Sequence, residues 1–156
     1  MKKSFVLSFA LALTWIVAGD ALNVSAQDKR ERLPVPPTVL RDADLEKESK
    51  HNLEVARHYF RLKKAYRAAI ARCEEIIAGD PTFSRLDEAL YIAGLSSLRL
   101  SENQGKQAAT LPADKLREDA RDYLSRIVND FPDSKFREEA ETQLSSLGGV
   151  KKASQQ

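Results

Sequence analysis

The sequence predicts an all-α fold made of antiparallel helix-turn-helix repeats, about five helices in all. Three observations predict it. Ala69, Cys73, Ile76 and Pro81 recur at the same offsets as Ala120, Leu124, Ile127 and Pro132. Each set reads as a helix with a small residue mid-way, an apolar stripe and a proline just past its end. Apolar residues elsewhere follow helical spacing, and no strand-like alternation rises above it. Stop signals then divide the chain, with Gly79-Asp80-Pro81 after one helix and Phe131-Pro132 after another. A repeated helical unit buries its apolar face only by stacking on its neighbours, which makes a scaffold, and scaffolds bind.

Residues 1–26 read as a signal peptide. Lys2 and Lys3 precede an apolar run from Phe5 to Ala18, and Val24-Ser25-Ala26 offers small residues for cleavage. The run is shorter than the ~20 residues of a membrane-spanning helix; an uncleaved N-terminal anchor is the alternative. Residues 27–40 hold Pro34, Pro36 and Pro37 and form a Pro-rich linker. The helical domain is expected over residues 41–148, followed by a flexible polar tail, 149–156.

The first helix is expected over residues 42–62, with Leu53, Ala56 and Phe60 on one stripe and Val55, Tyr59 and Leu62 on an adjacent one. Lys63-Lys64 mark the turn. The second helix spans residues 65–78, with Tyr66, Ala69, Ile70, Cys73, Ile76 and Ile77 on its core side. Thr82 or Ser84 is placed to cap the third, residues 85–100, where Leu86, Leu90, Ala93, Ser97 and Leu100 form one line. Gly94 beside Ala93 admits a close neighbouring helix and so offsets the helix cost of glycine, ~1 kcal/mol.

Residues 101–111 are polar and longer than the usual bundle connection of ~2–8 residues. They read as a disordered insertion or as a partner-contacting loop. Pro112 opens a fourth helix, residues 113–129, that uses Leu116, Ala120, Tyr123, Leu124, Ile127 and Val128. Phe131 to Ser134 ends it and caps a fifth, residues 135–147. That helix carries the single stripe Phe136, Ala140, Leu144 and Leu147, which suits a terminal capping helix.

The pattern now meets a known family. The two units resemble tetratricopeptide repeats, modules of ~34 residues that stack into an α-solenoid. Ala69 and Ala120 occupy the small position of the second helix, and Pro81 and Pro132 the terminating proline. Gly94 fits the small position of the first helix, whereas Arg57 departs from it, as does the insertion at 101–111. Within that superfamily, residues 52–147 resemble the YfiO/BamD-like outer-membrane assembly lipoproteins, above all in VARHYFRLKKAYRAAIARCEEIIAGDP and LDEALYIAGLSSLRL. The resemblance implies a periplasmic protein-binding scaffold acting in outer-membrane or envelope protein assembly. A structural or self-associating module of another envelope or secretion complex is the alternative. No cysteine follows the apolar run, so the chain reads as unlipidated, with membrane contact only through its partners. Its repeats, about two with a capping helix, are fewer than the family's usual five or so.

Charge and residue types narrow the chemistry. The net charge of +2 falls to +1 without the signal segment, and cations alternate with anions along the helices. A nucleic-acid binder would show a basic stripe. The single cysteine, Cys73, excludes an internal disulfide and reads as a small core residue, with a reactive thiol as the alternative. His51 and His58, seven apart on a helix, lie ~10 Å apart along its axis, too far for one metal with bonds of ~2 Å. Glu74-Glu75, Asp87-Glu88 and Glu138-Glu139 fall among Lys and Arg, as on a solvated face. No phosphate-binding loop or nucleophile motif is present. The reading is therefore of no enzyme, no cofactor, no metal and no small-molecule substrate. Tyr59 and Tyr66 belong to the repeat core or edge a peptide groove. With Arg57, Arg61 and Arg67 around them, they form the candidate site for an acidic partner segment.

Overall fold

The computed structural model describes residues 42–151. The expected signal peptide, the Pro-rich linker over 27–40 and residues 152–156 of the tail lie outside the described residues. Five α-helices follow one another: α1 (Ala43–Arg57), α2 (Tyr66–Gly79), α3 (Leu86–Ser101), α4 (Ala113–Asp130) and α5 (Arg137–Ser146). Each packs on the next in sequence, and α1 also reaches α3. No strand occurs among the described residues.

α1 begins where Asp42 accepts hydrogen bonds from the backbone N–H groups of Asp44 (2.9 Å) and Leu45 (3.4 Å). Its last turn widens into a π-helical segment, His58–Lys63, closed by Lys64 in the left-handed conformation (φ 50°). The wider turn shifts the phase of the apolar stripe. Phe60 and Tyr59 stay against the core, but Leu62, expected on the buried face, is 71% exposed.

The repeated residues of the two units coincide in role. Ala69, Cys73, Ile76, Leu124 and Ile127 are fully buried in one core shared by the five helices, and Ala120 is fully buried as well. The turns after Pro81 and Pro132 match bond for bond. Asp80 N–H donates to Ile76 O, Phe83 N–H to Asp80 O and Leu86 N–H to Phe83 O; Phe131, Ser134 and Arg137 repeat that sequence onto Ile127, Phe131 and Ser134. Both prolines are exposed and act by stopping the helix before them.

Side chains tie these turns sideways. Ser84 Oγ donates to Glu46 in the first turn of α1, and Ser134 Oγ donates to Asp87 in the first turn of α3 at 2.7 Å. The Ser84 bond holds the Glu46 carboxyl below its ordinary range. Thr82 Oγ1 bonds Asp80, so neither Thr82 nor Ser84 caps α3, whose first turn is closed by backbone and by Asp87. Ser134 does serve the start of α5, accepting from Phe136 N–H.

α3 is the central helix, buried along nearly its whole length. Gly94 sits where α4 crosses it: a Cβ there would lie 2.8 Å from Leu124 Cγ. The connection over 101–111, expected as a disordered insertion, is instead laid across the α1–α2 turn. Lys106 N–H donates to Lys64 O (3.0 Å), and Gln107 Oε1 accepts from Ala68 N–H (3.1 Å). Pro112 precedes α4 in extended conformation rather than entering its first turn. The tail, expected to be flexible from 149, is held on α4 over its first residues. Arg121 donates to Gly149 O (2.7 Å), Asn129 donates to Lys151 O (2.9 Å), and Lys151 N–H donates to Ser125 Oγ (2.8 Å).

Candidate protein-binding surface

The five candidate residues come from one stretch of chain but do not form one patch. Arg57 ends α1, and its guanidinium is taken up by Glu88 of α3 in a two-pronged pair: Nε to Oε1 at 2.6 Å and Nη2 to Oε2 at 2.5 Å. Arg85 adds a weaker contact to the same buried carboxylate at 3.3 Å. Arg57 is thus engaged inside the protein, joining α1 to α3 across the stack.

Tyr66, weighed as a groove-edge aromatic, is buried. It forms a small second core with Leu100 and Leu116, its ring 5.7 Å from Phe60. Gly105 covers it so closely that a Cβ there would lie 2.6 Å from the ring. Tyr59 is half-buried against the main core, edge-on to His58 at 6.2 Å.

Arg61 and Arg67 remain exposed and make no ion pair among the described residues. They look in different directions. Arg61 acts on Tyr91 of α3, opposing the rise of its phenol caused chiefly by burial and then by a hydrogen bond to Glu139. Tyr91 stacks on Phe136 just before α5, ring centroids 4.6 Å apart. Arg67 instead borders a cleft of about 180 Å³ between α2, α4 and the 101–111 loop, with Ile70, Leu111, Leu116 and Tyr123 in its wall. Tyr123 Oη donates to Glu74 at 3.0 Å. Burial first, then that carboxylate, push the Tyr123 phenol up.

Neither Tyr91 nor this cleft was legible as a site. Tyr91 matches no motif, and the cleft exists because the loop folds back. Its volume is below the ~300–1,000 Å³ of small-molecule sites. A larger hollow, about 320 Å³, lies between the two matching turns, where Ser134 already engages Asp87. Among the described residues no group of three or more His, Cys, Asp or Glu is arranged to hold a metal ion. No described helix is long and apolar enough to cross a membrane. Cys73 is fully buried, and burial pushes its thiol up to about 12.

Stacked helical hairpins with matching turns, a continuous core and charged outer faces define a helical-repeat protein of the tetratricopeptide type. Residues 48–149 match the family model YfiO, described as an outer membrane lipoprotein. The match covers more than half of the chain, which therefore belongs to the YfiO family. None of the curated proteins compared with the chain matches it, nor does any of the solved structures.

Proposed function

We propose that this chain is an exported, periplasmic protein-binding scaffold, BamD-like in role, that serves outer-membrane or envelope protein assembly without catalysing a reaction. Membership of an outer membrane lipoprotein family over residues 48–149 is the observation that carries the reading. The geometry supports it. A rigid stack of helices presents exposed side chains at fixed spacing, which suits docking of a partner helix or extended peptide. Arg61 and Arg67 offer charges not satisfied within the protein, and they favour an acidic partner segment, with Tyr59 beside Arg61 on the same stretch of chain.

Reversing both charges, Arg61→Glu with Arg67→Glu, should reduce capture of β-barrel assembly components from periplasmic extract. Capture undiminished by the double reversal sinks the assignment of these residues. A pull-down that enriches only the chain itself favours the second reading, a self-associating structural module. One observation supports that alternative: residues 42–48, 80–88 and 130–139, which gather at one end of the stack, hold eleven Asp and Glu against four Lys and Arg. The opposite end is basic.

A further inference from the structure

The loop over 101–111 folds onto the α1–α2 turn, and this joins two stretches of sequence into one end of the molecule. Residues 58–67 and 99–117 together hold eight Lys and Arg against two Asp and Glu. The ion pairs at this end are made by Arg99, Lys115 and Arg117. Lys63, Lys64 and Lys106 make none among the described residues and are all exposed. Lys106 is fixed beside Lys64 by the backbone bond between them. Amid these cations stand two of the most exposed leucines, Leu62 at 71% and Leu111 at 47%.

We propose that this end is a docking surface for an anionic phospholipid bilayer. Three physical arguments favour a membrane over an acidic protein. Lysines clustered around outward-pointing leucines are the composition of an interfacial anchor: the apolar side chains enter the headgroup boundary while the ammonium groups stay at the phosphates. Leu62, Lys63 and Lys64 close the π-helical end of the first helix with Lys106 laid beside them, a convex end that meets a plane but does not enclose a peptide. The opposite end of the stack is acidic and is repelled by the same surface, so the charge distribution orients the molecule with its basic end down. The surface depends on the folded loop, because without it Lys106 is not beside Lys64 and Leu111 does not face Arg67. The basic end also holds Arg61 and Arg67 of the protein-partner reading, but the inference rests on Lys63, Lys64, Lys106 and Leu62.

Co-sedimentation of the full chain with vesicles tests it, comparing pure phosphatidylcholine with a mixture containing phosphatidylglycerol. The unmodified chain should partition more strongly onto the anionic vesicles and be released by high salt. The triple variant Lys63→Gln, Lys64→Gln, Lys106→Gln should bind them ~100-fold more weakly, about fivefold per charge removed. Leu62→Ser should weaken binding further without altering the salt dependence. Equal binding to both vesicle types, or anionic binding that survives the triple substitution, overturns the proposal; the apolar segment of residues 1–26 would then explain any attachment. Salt titration of the unmodified chain decides the matter even should the triple variant fold poorly. Loss of acidic-protein capture in that variant, with vesicle binding unchanged, overturns it in favour of a protein partner.

Discussion

Gly94 shows how one atom sets a helix crossing. Its missing Cβ leaves room for Leu124, and a methyl group there would lie 2.8 Å from Cγ and 2.9 Å from Cδ2 of a side chain that is itself fully buried. Gly94→Ala gains ~1 kcal/mol of helix propensity but meets an overpacking cost of ~1–3 kcal/mol. A lower thermal midpoint is expected, and a raised one would mean that Leu124 can move away. The first unit differs at both positions. Arg57 stands at the glycine position, and the smaller Cys73 stands where the second unit has Leu124. The Arg57 side chain leaves this position for Glu88 of α3. Cys73 itself is inert for a stated reason: burial keeps its thiol protonated, with its pKa pushed up to about 12, and the thiolate is the nucleophile. At pH 8 a thiol reagent should leave the folded protein unlabelled and modify it once it is unfolded in denaturant. Rapid labelling without denaturant would revive the reactive-thiol alternative.

The elements were legible wherever local signals act alone. Helix existence, order and stops followed from apolar spacing, Gly79, Pro81 and Pro132, because these act within a turn or two of chain. The phase of the last turn of α1 was not legible, since apolar spacing assumes a regular α-helix and the π-helical turn over His58–Lys63 departs from that period. The 101–111 loop departs from the sequence expectation for the opposite reason. Its polar composition suggests disorder, yet its backbone groups find partners at Lys64 and Ala68. Gly105 makes this possible, with φ +96° and no side chain against Lys64 O or Tyr66. Gly105→Ala should therefore lift the loop, costing ~1–3 kcal/mol of local stability. Hydrogen exchange at the Lys106 amide should accelerate by about tenfold or more. Unchanged protection would show that the loop is held by other contacts.

At the scale of the whole molecule, the stack is tied together by contacts between elements far apart in sequence. The Arg57–Glu88 pair is the strongest polar tie from α1 to α3. Removing one partner of a buried pair leaves the other charge stranded. Arg57→Leu should cost about 2–3 kcal/mol, less than for an isolated buried pair because Arg85 remains near Glu88. Adding Glu88→Leu should restore most of that loss. Urea denaturation of the four members of this cycle gives the coupling directly, and additive losses would contradict the tie. Sequence by itself determined that the chain is a helical repeat, where its helices start and stop, which small residues lie at the crossings and which family it resembles. Those features follow from periodicity and from residues that act on their own turn. Only the tertiary structure decided that Arg57 and Tyr66 face inward, that Arg61 and Arg67 part company, and that the loop completes a basic end opposite an acidic one. Exposure and charge pairing depend on what other elements bring alongside, and no residue's immediate neighbours in sequence specify that.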